Sequence, residues 1–413
     1  MASWLARRLF PALATLGLVI EGMISTTWGP RLMGRTAWAL PDDLWGTLMA
    51  AQRLVGLHLS GLYTPPTGLV AFPGAAVILT PVVALIDAAG VSLQIQTANH
   101  PYPSSWLLAG PYEIAISCLV LFAIDNLAER QPVSRPRRCF LALAGAVALW
   151  SVSVRWGHPE DAVAVGLLLY AVAAITGWEP RYARAGWLAG AAVLIQPLVL
   201  LALPVLAVAL GDARRVPGFA ARSATPSVVA LGIAAAANWH ATLTAVTSQP
   251  NYPAIDHPTP WTSLAPRLAG GDVAAGPGRI LAIVCACGCA VAFAYRRRVA
   301  ADQVTELLWW VAAALAVRCL FESVMVAYYI WPALAVALVA AAQAWSRLVS
   351  TAIVAGVLTF LSQAPWRETW GWWTPVIAGL ALALYCARPG AAASAIRSGP
   401  RDCHDHGHLS PWS

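Results

Sequence analysis

Apolar runs approaching the thickness of a bilayer recur along the whole chain, and arginines gather in alternate gaps between them. A helix needs about 20 mostly apolar residues to cross the hydrocarbon core, so this pattern predicts repeated crossings. The rest of the composition agrees: 59% of the residues are hydrophobic, 11% are charged, and the mean hydropathy is +0.65. Those values exclude a soluble globular chain. The expected fold class is an all-α polytopic membrane protein. All 26 basic residues other than histidine are arginines, and their placement carries more information than the net charge of +7, because basic loops face the cytoplasm.

Arg7 and Arg8 precede the first run, Leu9 to about Thr27, which puts the N-terminus in the cytoplasm. No small-x-small cleavage site follows closely, so the run reads as a span and not as a signal peptide. The loop Trp28–Pro66 is then extracytoplasmic. Within it, residues 43–59 place Leu44, Leu48, Ala51, Leu54 and Val55 at helical spacing, as in a helix lying in the membrane interface. The runs Leu69–Ala89 and Trp106–Leu127 come next, before the basic stretch Arg130, Arg135, Arg137 and Arg138. Two crossings would leave that stretch outside. A break of Leu69–Ala89 at Pro73 or Pro81, with a return to the same side, resolves the conflict.

The remaining runs alternate regularly. Ala185–Ile195 and Pro197–Leu210 are too short to cross singly and form a pair whose apex, Gln196-Pro197, faces outward. Pro226–Val246, Gly278–Tyr295, Thr305–Phe321, Ala327–Trp345, Val349–Ala364 and Trp370–Ala387 follow, giving roughly 11–13 membrane segments in one domain over residues 1–390. Residues 391–413 form a basic, histidine-containing cytoplasmic tail expected to be disordered. Its run Cys403-His404-Asp405-His406-Gly407-His408 could bind a metal adventitiously, but no metal site is expected in the protein. The eight cysteines show no Cys-x-x-Cys pair and no disulfide framework.

The outer face collects Asp42, Asp43, His58, His100, His158, Glu160, Asp161, Asp256, His257, Arg318 and Glu322, with Arg155, Arg267 and Arg367 as further outer arginines. Each has a plainer reading. Asp42 and Asp43 follow Pro41 where a helix N-terminus favours acids, and His158-Pro159-Glu160-Asp161 has the same form. The many tryptophans and tyrosines suit an interfacial belt. Within the spans, Glu21 and Asp125 would serve as relay groups if the chain were a transporter.

Taken in order, these residues resemble the glycosyltransferases of the GT-C superfamily that use polyprenyl-phosphate sugars, in particular the family 87 group with the actinobacterial mannosyltransferases. The resemblance lies in Asp43, Ala50-Ala51, Gly61-Leu62-Tyr63 and Pro65-Pro66 of the first loop, and in Phe72-Pro73-Gly74 with Pro81. It continues through Gly157-His158-Pro159-Glu160-Asp161, the short pair within 186–204, and Arg318 with Tyr328-Tyr329 and Pro332. It implies a GT-C-like bundle with an extracytoplasmic active site in a bacterial plasma membrane. The implied partners are the bilayer, a lipid-linked sugar donor and a glycolipid or glycan acceptor, with no nucleic acid and no cofactor.

By this resemblance Asp43 is the catalytic base, with Asp42 as the alternate. Arg318, Arg155, Gln196, His158, Tyr328 and Tyr329 would hold the donor phosphate. His257, Trp261, Glu160 and Asp161 would hold the acceptor, His257 and Trp261 from a proline-rich loop, Pro250–Gly278, covering the cavity. At the apex of the short pair related enzymes often carry a lysine. Gln196 brings no charge, so the cation facing the phosphate falls to Arg155 or Arg318. A flippase for the same lipid, or an inactive relative serving as a scaffold in cell-wall assembly, are the alternative readings.

Overall fold

The computed structural model describes residues 6–65, 67, 69, 71–275, 278–297, 302–366 and 368–390. Over these the protein is an all-α polytopic membrane protein. Among the described residues seven helical stretches are long and apolar enough to cross a bilayer. They are α1 (Leu9–Thr27); α5 (Trp106–Ser117) with α6 (Leu119–Arg130), joined at Cys118; α7 (Arg135–Trp150) with the turn that continues it; α11 (Val216–Ala237); α13 (Gly278–Arg296); α14 (Gln303–Phe321); and α17 (Thr369–Ala387). Between them lie α2 (Asp43–Val55), α3 (Pro73–Val77), α4 (Thr80–Ala88), α8 (Pro159–Ile175), α9 (Tyr182–Ile195), α10 (Leu203–Ala209), α12 (Trp239–Ser248), α15 (Trp331–Ala341) and α16 (Trp345–Leu361). Proline stands in the first turn of many of them, at Pro73, Pro81, Pro136, Pro159, Pro217 and Pro332. There its missing N–H removes no helical bond.

All eleven residues of α15 are buried. It is apolar on every side, as a helix enclosed by others must be, and it packs against α7, α14, α16 and α17. Lipid tails are as apolar as leucine, so dispersion and close approach of small side chains hold such a bundle together.

One end of the bundle gathers the arginines. Asp125, in the middle of α6, accepts from Arg138 Nε at 2.8 Å and Nη2 at 2.7 Å, and from Arg8 Nη1 at 2.5 Å. Arg8 also meets Glu129 at 2.7 Å. Asp125 is therefore engaged by two guanidiniums where α1, α6 and α7 meet. Glu21 accepts from the Trp150 indole at 3.2 Å.

The opposite end holds the described residues between α1 and α5. The Trp106 indole donates to Thr26 Oγ1 at 3.2 Å, and the Ala39 amide to the Thr26 carbonyl at 2.9 Å. The run containing Pro73 and Pro81 is broken into α3 and α4, each too short to span. The structure corrects the expectation for α2. Its apolar residues Leu44, Leu48 and Ala51 are buried in one core cluster with Leu79, Val83 and Trp106, so α3 and α4 cover that stripe in place of lipid. A second difference concerns α11, which starts ten residues before the expected Pro226 and carries that proline inside. It stops at Asn238, whose Oδ1 caps the Ala241 amide of α12 at 3.1 Å.

Candidate active site

The site is built where α7 turns into α8. The last residues of α7 run into a π-helical turn, Ser151–Arg155, a wide geometry that often marks functional positions. Gly157 then reverses the chain at φ +67°, a conformation that favours glycine. A Cβ there would lie 2.8 Å from Pro41 Cβ and 2.9 Å from Leu44 Cβ. The missing side chain lets the first loop press against this corner, and Asp43 and His158 meet across a large sequence separation.

His158 bridges two carboxylates: Nε2 lies 3.1 Å from Asp43 Oδ2, and Nδ1 lies 2.6 Å from Glu160 Oε1. Its ring stacks on Tyr328, centroids 4.1 Å apart at 26°. Burial acts to lower the imidazole pKa, but Glu160 and Asp43 outweigh it and hold the ring charged well above the ordinary histidine range. A raised folded-state pKa contributes stability that is complete below the unfolded value and is lost as pH rises through the folded one. His158→Gln is therefore expected to cost most thermal stability in mildly acid buffer, where its unfolding temperature falls below that of the wild type. The gap should narrow as pH climbs above neutrality, and melting curves of both proteins in detergent across that range check this. A gap independent of pH would remove the charge from the account.

Neither acid of the first loop acts as a side-chain helix cap. Asp42 occupies the N-cap position but its side chain makes no cap bond, and Asp43 is the first helical residue. Burial and the neighbouring Asp43 raise the Asp42 carboxyl, with Arg155 opposing. Asp43 has a side chain 51% exposed, and His158 engages only its Oδ2.

A second polar group lies on α13 and α14. Arg318 Nε donates to Glu322 Oε2 at 3.0 Å, and Arg279 Nη2 lies 3.5 Å from Glu322 Oε1. Gly278 allows this approach, since a Cβ there would sit 1.8 Å from the Phe321 carbonyl oxygen. The Arg318 guanidinium covers the Tyr329 ring at 3.8 Å, and Tyr329 stands edge-on to Tyr328 with centroids 4.9 Å apart. The Gln196 side-chain amide donates to Asp161 Oδ1. Glu160 Oε2 and Asp161 Oδ2 are buried without a hydrogen-bond donor among the described residues, an arrangement that ordinarily calls for water or a ligand.

These groups enclose a cavity of about 330 Å³. His158, Glu160, Gln196, Arg279, Arg318 and Glu322 form its polar part, and Leu200, Leu201, Ala282 and Ile283 its apolar flank. Leu200 and Ile283 are also exposed on the outside of the bundle, so the apolar flank reaches the face a bilayer would cover. Asp43 adjoins the cavity through His158.

The structure thus brings together Asp43, His158, Glu160, Asp161, Gln196, Arg318, Tyr328 and Tyr329. Among the residues given a donor or acceptor role in the sequence, Arg155, His257 and Trp261 lie apart from the cavity wall. Arg155 is exposed over the Trp156 ring at 5.2 Å. His257 stacks on Trp372 at 3.9 Å, with Nδ1 2.8 Å from the Trp366 carbonyl oxygen. The Trp261 indole donates to the Leu320 carbonyl at 2.6 Å. Their loop is pinned by a two-residue strand, β1 (His257–Pro258), pairing with β2 (Val324–Met325). It lines the cavity through Pro250 and Asn251.

Two residues escaped the sequence reading. Arg279 opens α13 at the end opposite the basic loops, and an arginine placed against the charge rule was the available signal. Glu113 is fully buried in α5, with Ser117 donating to its Oε1 at 3.2 Å. As an acid inside an apolar run it carried the same signal as Asp125. No three His, Cys, Asp or Glu side chains gather to hold a metal ion among the described residues, and the motif 403–408 lies outside them. The sequence matches no protein-family model and no curated protein.

Proposed function

We propose that this protein is an integral-membrane glycosyltransferase, with mannose as the expected sugar, that moves a sugar from a polyprenyl-phosphate donor to a lipid or glycan acceptor. The observation that carries the reading is the half-exposed Asp43, held by His158 beside a cavity with two guanidiniums at one part and an apolar flank reaching the bundle surface. A prenyl chain would lie along Leu200 and Ile283 with its phosphate at Arg318 and Arg279, and the acceptor would approach from the exposed side of Asp43. The acceptor oxygen attacks the anomeric carbon as its proton passes to Asp43. The bond from that carbon to the phosphate oxygen breaks with its electron pair on the phosphate, and the configuration inverts. Guanidiniums in place before reaction stabilise that developing charge. The chain's own residues supply both groups the step requires, a base and a cationic phosphate site, and Arg279 provides a charge that Gln196 does not.

Incubating the purified protein in lipid nanodiscs with radiolabelled polyprenyl-phosphate mannose and a bacterial envelope lipid extract should move label to the acceptor fraction. Donor left unconsumed by folded protein, or merely carried across vesicle membranes, would count against a transferase. The same reading places the site on the outer face of a bacterial plasma membrane and both termini in the cytoplasm. A single cysteine replacing Pro136, in a background without native thiols, should resist an impermeant maleimide in intact cells. One replacing Ser60 should react.

A further inference from the structure

A second cavity lies at the other end of the bundle, away from the candidate active site. It encloses about 790 Å³, within the range of small-ligand sites. The ends of α6 and α8, the loop that follows α8, the first turn of α9 and Val304 of α14 form its walls. Arg130, Arg181 and Arg184 line it, with Glu179 as a carboxylate among them. The neighbouring Arg8 and Arg138 are consumed by Asp125 and Glu129. By contrast, none of the three cavity arginines forms an ion pair with a described residue. Only Arg130 has a fixed side-chain contact, donating from Nη1 to the Ala173 carbonyl at 2.9 Å.

Gln131 supplies an independent sign of a ligand. It lines the same cavity at 5% exposure. Its Oε1 accepts from Gln343 at 3.4 Å, whereas its Nε2 is buried with no acceptor among the described residues. A buried donor without a partner is costly unless something else accepts from it. Three guanidiniums and an unsatisfied amide N–H call for an anion with several oxygens. Leu127, Tyr170, Ala173 and Ala174 give the cavity an apolar wall, and the fully exposed Trp178 stands at its lip. Tryptophan settles at the depth of lipid headgroups, and basic pockets between helices at that depth suit anionic headgroups.

We propose that this cavity binds the phosphodiester headgroup of an anionic phospholipid, with Arg181 and Arg184 on the phosphate, Arg130 and Gln131 deeper, and the acyl chains leaving along the apolar wall. The site does not depend on the glycosyl-transfer reading. Native mass spectrometry of the full-length, delipidated protein titrated with phosphatidylglycerol should show one saturable lipid that phosphatidylcholine does not replace. Each arginine near such a headgroup is worth about 1 kcal/mol, so the double variant Arg181→Gln/Arg184→Gln should bind it roughly thirtyfold more weakly. Both side chains are exposed, so folding should be kept. Arg135→Gln/Arg214→Gln, which removes two exposed arginines of the same end outside the cavity, should leave binding unchanged. Equal weakening by both pairs, or none by the first, would overturn the site in favour of a merely basic membrane face. Displacement of the lipid by equimolar inorganic phosphate would overturn the lipid as its source.

Discussion

If Asp43 is the general base proposed above, Asp43→Asn is expected to lower the turnover of sugar transfer at least about a hundredfold, since a positioned general base contributes ~10²–10⁴-fold. The substitution keeps shape and removes only the proton acceptor. Folding should be nearly unaffected: the side chain is half exposed, and an asparagine oxygen can still accept from His158 Nε2. Asparagine also serves a helix N-terminus about as well as aspartate, so a role confined to opening α2 predicts little change. Donor binding should persist, because the guanidiniums lie on α13 and α14. Asp42→Asn is the control. Its carboxyl is adjacent in sequence but makes no contact with His158, and its loss should be mild. Full activity of both variants in the labelled-donor assay would remove this loop from the chemistry. Loss in Asp42→Asn alone would move the base by one residue.

The second large effect is expected at Arg318. The Glu322 side chain is 1% exposed and that of Arg318 16%, so Arg318→Leu leaves a buried carboxylate facing only Arg279 at 3.5 Å. Breaking such a pair from one side costs about 3–5 kcal/mol, and the variant should unfold well below the wild-type temperature. Replacing both partners with apolar residues is often neutral or stabilising, so Arg318→Leu/Glu322→Leu should recover most of that stability. Transfer should not recover with it, because the phosphate has lost a guanidinium. A double variant that is both stable and active would make the pair purely structural. One that is stable but inactive, with a raised KM for the donor, separates binding from folding.

Much of this architecture was legible in the residues. Arginines between apolar runs marked one end of the bundle, and Arg8, Arg130, Arg137 and Arg138 indeed meet there. The conflict between those arginines and the span count located the broken run at Pro73 and Pro81, because too short a helix cannot reach the far side. The apolar stripe of α2 was equally plain in the sequence, but its partner was not. Spacing says only that a face must be covered, and protein or lipid can cover it.

The site divides along the same line. Residue type and order singled out Asp43, His158, Glu160, Asp161 and Arg318, since acids, a histidine and an arginine are costly in an apolar chain unless they are paired or used, while the roles of Gln196 and the tyrosine pair rested on the family resemblance. The distances between them belong to the tertiary structure. A glycine at positive φ after a π-turn allows the loop at Pro41 and Leu44 to close on His158, and no local pattern forecasts which loop that will be. His257 and Trp261 carried the same kind of signal, yet pairing of β1 with β2 directs them toward α14 and α17 and off the cavity wall. Arg279 went the other way, because its proximity to Glu322 exists only once the backbone at Gly278 lies against Phe321. The sequence by itself determined a helical membrane protein and which polar groups had to be accounted for. Only the packing of helices distant in sequence decided which of those groups share a cavity, because hydrogen bonds and ion pairs act over a few ångströms while periodicity and composition act along the chain.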